Sequence, residues 1–154
     1  MYKIMKKMIV QTLLQLQEFS NQLTEQIHKD SVITMSGELG VGKTTLASYI
    51  LRELVDDEDS FTSPTFNIVH EYYSKKKQAK VFHLDLYRIN DVNELVEIGF
   101  NDILNSGIVI IEWPEIAFPI IRNMAKDRLI EMQLSFEDEI TRKISCKISS
   151  HRLE

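Results

Sequence analysis

Three of the five glycines in this 154-residue chain fall within six positions, in Gly37-Glu38-Leu39-Gly40-Val41-Gly42-Lys43-Thr44. The string fits G-x-x-x-x-G-K-[ST], a phosphate-binding loop. Val32 to Ser36 ahead of it reads as a short buried strand. Thr45 to Leu54 behind it reads as a helix, apolar at Leu46, Ala47, Ile50, Leu51 and Leu54. Strand, glycine loop and helix in that order are the setting the motif requires, and they commit the chain to an α/β fold.

The residue types follow from the chemistry of holding a triphosphate. Glycine at Gly37, Gly40 and Gly42 lets the backbone turn without a Cβ clash, so successive N–H groups point inward. Those groups and the exposed amino end of the helix form a nest for phosphate oxygens, aided by the helix dipole. Lys43 brings a full positive charge toward the β and γ phosphates. Thr44 presents a hydroxyl suited to Mg²⁺, and Thr45 can donate to the α phosphate.

The length predicts one domain over residues 1–154, with residues 1–9 less ordered than the rest. A net charge of -5 argues against a large nonspecific nucleic-acid surface, though not against a local basic patch. The one cysteine, Cys146, permits no internal disulfide and suggests a reducing compartment. It shares a strand face with Ile144 and Ile148, as a packed thiol would. The basic start is followed by an apolar stretch broken at Gln11 and Gln15, which reads as neither a signal peptide nor a membrane span.

Thr12 with Gln15 forms a capping box, and Leu16, Phe19, Leu23 and Ile27 recur at helical spacing, predicting a helix from about Leu13 to His28. Asp56-Asp57-Glu58-Asp59 reads as a solvated acidic loop. Ser63-Pro64-Thr65 opens a strand to about Tyr73. Lys75 to Gln78 turns the chain into a second strand, Val81 to Tyr87. A helix over about Val92 to Ile98 stops at Gly99. Ile108 to Ile111 is an unbroken apolar run, the mark of a strand buried on both faces. A short helix near Pro119 to Met124 and an alternating pair, Ile130 to Phe136 and Arg142 to Ser149, complete the chain. The sum is a single-domain P-loop fold with a mixed parallel and antiparallel central sheet flanked by helices.

A P-loop also needs a carboxylate for Mg²⁺ and a group to orient water. Glu112 closes the most apolar strand, at the edge where open α/β sheets hold ligands. Asp85, in His83-Leu84-Asp85-Leu86-Tyr87-Arg88, is read as mid-strand among apolar neighbours. Burying it unpaired would cost several kcal/mol, so it needs Mg²⁺ through water, Arg88 or Lys43 as partner. The Thr65 hydroxyl either senses the γ phosphate or the metal, or simply opens a strand. His70 and His83 lack metal-ligand spacing and read as hydrogen-bonded structural residues. Trp113 fits rim packing or a partner contact equally. Lys75, Lys76 and Lys77 form a solvated hairpin tip or touch RNA backbone.

The P-loop through Thr45, then Ser63-Pro64-Thr65-Phe66, His83 to Arg88, Glu94-Leu95 with Gly99, and Glu112-Trp113-Pro114-Glu115, in that order, closely resemble the bacterial TsaE family, also known as YjeE. The resemblance spans about residues 10 to 149. It implies a cytoplasmic ATPase required for N6-threonylcarbamoyladenosine at position 37 of ANN-decoding tRNAs, acting with TsaB and TsaD. By the same resemblance Gly40, Val41, Gly42, Lys43, Thr44 and Thr45 hold the phosphates of ATP, and Thr44 and Glu112 ligate Mg²⁺. Asp85 takes a Walker B-like role and Thr65 a switch-like one. The adenine would lie near Leu13 and Glu139, and tRNA would be met indirectly or weakly.

Two other readings compete. An ATP-gated binding module would regulate TsaB–TsaD without hydrolysis as its output. A small-metabolite kinase would need an arginine-bearing lid, but the arginines at 52, 88, 122, 128, 142 and 152 are scattered.

Overall fold

The computed structural model describes residues 2–55 and 68–149. Thr12 starts α1 (Leu13–Glu25), its hydroxyl accepting from the Gln15 N–H while the Gln15 side chain returns to the Thr12 N–H. The strand β2 (Val32–Ser36) runs into the glycine loop and α2 (Lys43–Leu54). β3 (Val69–Ser74) and β4 (Ala79–Asp85) form the expected hairpin. After α3 (Val92–Glu97) and α4 (Phe100–Leu104) come β5 (Gly107–Glu112), α5 (Phe118–Ala125), β6 (Leu129–Phe136) and β7 (Arg142–Ser149).

With β1 (Tyr2–Val10) these strands make one seven-stranded sheet in the order β1-β7-β6-β2-β5-β4-β3. The inner strands β6, β2, β5 and β4 are parallel, and both flanks are antiparallel. Hence the apolar run in β5: Ile108, Val109, Ile110 and Ile111 are wholly buried because helices cover both faces. Ile108 and Ile110 pack toward α1 and α2, with Leu46, Ile50 and Leu54 of α2. Val109 and Ile111 pack toward α3, α4 and α5, with Leu95, Phe100 and Ile121. Each such side chain contributes about 1.5–3 kcal/mol by leaving water.

At the amino ends of the parallel strands a single guanidinium does the fastening. Arg128, just before β6, donates to the carbonyls of Asp30 ahead of β2 (2.8 Å) and Leu104 ahead of β5 (2.7 Å), and to the Asn105 side chain. The glycine loop opens at the opposite, carboxyl ends.

Several details depart from the sequence reading. Residues 2–10, to which the sequence reading gave no element, form β1 against β7, from Tyr2↔Ser149 to Val10↔Arg142. Their lysines disguise an edge strand, where charge is common. The short helix α4 follows at once from Gly99, whose left-handed backbone both stops α3 and starts α4. Asp85 is not mid-strand. It ends β4 and is exposed, because β4 stops two residues early and the Asp85 carboxylate accepts the Tyr87 N–H (3.0 Å) in a turn. The burial cost that demanded a cation for it therefore does not arise. Ser63, Pro64, Thr65 and the acidic loop at 56–59 lie outside the described residues. Among the described residues, no helix is long and apolar enough to cross a membrane.

Candidate functional site

The glycine loop is shaped by close approach. Gly37 has φ 151°, and a Cβ there would stand 2.5 Å from the Leu134 carbonyl oxygen of β6. Gly42, at φ 115°, caps α2 with no side-chain oxygen on the helix N–H groups. An uncapped amino end with a glycine before it presents its donors to whatever anion arrives.

Lys43 folds back over this loop. Its ammonium donates to the Gly37 carbonyl and to the Glu38 carbonyl (2.9 Å), and lies 3.8 Å from the centre of the Trp113 ring. The residue is 5% exposed. Burial pushes its ammonium below the ordinary value, against the opposing pull of Glu112, Glu115 and Asp85. Trp113 reaches it from the end of β5 through a left-handed backbone (φ 55°), its N–H on the Met35 carbonyl. The Tyr87 ring leans on Trp113 at 4.8 Å.

Glu112 is buried beside them, only 2% exposed. Thr44 Oγ1 donates to its Oε1 at 2.7 Å, and His83 Nε2 lies 2.7 Å from its Oε2. Burial would raise this carboxyl, but hydrogen bonds from His83 and Thr44, with the charges of His83 and Lys43, leave it below the ordinary value. Asp85 stands directly across the strand pair from Glu112. Among the described residues, no ion pair joins Asp85 to Arg88 or Lys43.

A cavity of about 180 Å³ is walled by Gly40, Gly42, Lys43, Thr44, Glu112 and Trp113. A second, of about 270 Å³, shares Gly40, Gly42 and Thr45 and extends between the start of α1 and the β6–β7 hairpin, at Leu13, Ile140 and Arg142. Arg142 braces the second against the loop, its Nε donating to the Val41 carbonyl (3.2 Å) while its guanidinium covers the Phe136 ring.

Of the residues singled out in the sequence, Lys43, Thr44 and Glu112 thus converge, with Asp85 at their rim and Gly37, Gly40, Val41, Gly42 and Thr45 shaping the loop. Thr65 lies outside the described residues. Sequence reasoning alone does not bring His83 or Arg142 to the site. His83 is readable in principle, since a polar residue two before Asp85 on a strand shares its face. Arg142 is 101 residues from Val41, whose carbonyl it holds, and nothing local announces it. Cys146 is buried as expected, its thiol pushed up to about 11 by burial.

The chain is similar to known proteins. The family model for threonylcarbamoyl adenosine biosynthesis protein TsaE matches residues 10–144. The tRNA threonylcarbamoyladenosine biosynthesis protein TsaE of Rickettsia felis is 32% identical over 80% of this chain and 68% of its own length. Its namesake in Aquifex aeolicus is 28% identical over 92% of this chain and 96% of its own. That of Borreliella burgdorferi is 34% identical over 85% and 86%. The crystal structure of Bacillus subtilus YdiB superposes with a TM-score of 0.66 over 99% of this chain and 90% of that one, a likeness of fold at 22% identity. The family match runs from the end of β1 into β7, through the loop, Asp85 and Glu112, and the chain belongs to the TsaE family of tRNA threonylcarbamoyladenosine biosynthesis.

Proposed function

We propose that the protein is a cytoplasmic ATPase that serves threonylcarbamoylation of adenosine 37 in ANN-decoding tRNAs by acting on the TsaB–TsaD transferase. The observation that carries the reading is the convergence of a buried ammonium, Lys43, and a buried carboxylate, Glu112, on one cavity at the uncapped end of α2. Buried opposite charges with an anion nest between them suit a metal-bound polyphosphate and little else.

The donors fit Mg²⁺, which takes hard oxygen ligands, one or two carboxylates and the substrate's phosphates. Thr44 Oγ1 and Glu112 Oε1 would hold it, and their mutual hydrogen bond is the contact it would replace. Bound there, the metal neutralises part of the charge that develops on the transferred phosphoryl group.

The protein's own groups do the rest. Lys43 exchanges the loop carbonyls for β and γ phosphate oxygens. The N–H groups from Gly40 to Thr45 fix the chain of phosphates. Both oxygens of Glu112 are engaged, so exposed Asp85 is the better candidate to orient the attacking water. The larger cavity, between Leu13 and Ile140, receives the adenine. Thr65 keeps its switch-like role as an expectation from the family.

The test is ATP hydrolysis by the purified protein alone and then with TsaB, TsaD and tRNA, with Lys43→Ala as control. Stimulation by the partners, lost in the control, supports the ATPase. ATP binding without stimulation moves the reading to an ATP-gated module.

A further inference from the structure

Glu112 is gripped from two sides, and only one grip belongs to the phosphate loop. Thr44 holds Oε1, and on the far side His83 holds Oε2, both at 2.7 Å. His83 sits on β4 level with Ile110 of β5, on the same sheet face as Glu112, so its ring reaches two residues along the neighbouring strand. The His83 side chain is 16% exposed and that of Glu112 2%. A glutamate has three rotatable bonds. Thr44 alone would leave this one free to tilt, whereas two anchors on opposite oxygens fix both the plane of the carboxylate and its depth.

We propose that His83 is a positioning residue that holds the Glu112 carboxylate by Oε2, keeping Oε1 on the Thr44 side to receive the cation of a nucleotide–Mg²⁺ complex. This rests on the nucleotide reading above and deepens it. His83 touches neither metal nor nucleotide. Partners of this kind commonly set the orientation of a metal-binding side chain.

The experiment uses His83→Ala, His83→Asn and His83→Gln in the full chain, read by the fluorescence of Trp113, the single tryptophan, which lies 3.8 Å from the Lys43 ammonium. ATP is titrated first in EDTA, and Mg²⁺ is then titrated at saturating ATP. Heat denaturation is followed in parallel. In EDTA, ATP affinity should match the parent. The Mg²⁺ needed for half of the signal should rise about tenfold or more in His83→Ala. His83→Gln, whose amide nitrogen extends as far as Nε2, should restore it. His83→Asn, one carbon shorter, should not. With partners present, kcat should fall with little change in the KM for ATP.

An unchanged Mg²⁺ requirement in a folded His83→Ala protein overturns the proposal. So does a His83→Gln protein as defective as His83→Asn, and that comparison stands even where His83→Ala does not fold. A parent that responds to ATP beside unaltered variants removes the role of His83 alone. A parent that shows no response to ATP removes the nucleotide site and the proposal together.

Discussion

The two ends of the cleft are built in opposite ways. The phosphate end comes from one contiguous stretch, Gly37 to Thr45, joined by Glu112 and Trp113 from a neighbouring strand. Its Lys43 and Glu112 are buried and engaged. The other end draws on Leu13, Ile140 and Arg142 from distant segments, and its two outer apolar side chains stand in water, Leu13 at 64% and Ile140 at 74% exposure. An anion needs donors fixed in advance, because reorganising dipoles around a charge is costly. A flat apolar base needs only surface to cover. The first end is therefore strict about residues and geometry, and the second tolerant.

Substitutions test that contrast. Lys43→Ala should have the largest effect, lowering partner-stimulated hydrolysis about 10²–10³-fold with the fold intact by circular dichroism. Gly37→Ala should come next, costing about 3 kcal/mol in urea unfolding, because its Cβ meets the Leu134 carbonyl in a backbone that only glycine adopts readily.

Glu112→Gln should lower the Mg²⁺-dependent response about tenfold to a hundredfold, and it carries a pH signature. The folded carboxyl titrates below its ordinary 4.5, so its stabilisation is complete above that value and is lost as pH falls through the folded value. The parent should lose more thermal stability than Glu112→Gln as pH falls from neutral to well below 4.5.

Arg142→Ala should cost about 1.5 kcal/mol and should weaken binding of ATP and of free triphosphate alike, since it loosens the loop at Val41. Leu13→Ala should have the smallest effect, weakening ATP about fivefold, near 1 kcal/mol, and leaving triphosphate untouched. Were triphosphate to weaken as much as ATP, the division between the two ends would fail.

The same contrast explains what the sequence discloses. The loop, α1 with its capping box, the apolar run of β5 and the whole of β7 can be read because their determinants are local. Glu112 stands out because it ends an apolar run. Asp85 falls on the right strand but in the wrong environment, since its exposure depends on where β4 gives way to the Tyr87 turn, a boundary that periodicity does not fix. β1 escapes notice because an edge strand bearing lysines has weak alternation, and its pairing with β7 joins opposite ends of the chain. His83 and Arg142 act through partners remote in sequence, so their roles appear only once the strands are side by side.

Arg128 bears on how this fold could be altered by design. One side chain draws together the approaches to β2, β5 and β6 at the edge remote from the cleft. The backbone ladders of β2 with β5 and β6 set the strand spacing, and Arg128 ties their approaches together away from the cleft. A protein engineer could therefore lengthen, graft or randomise the β6–β7 hairpin and the α1 approach to select for another nucleobase while the strand register stays as it is. Removing Arg128 first should lower the share of such a library that folds.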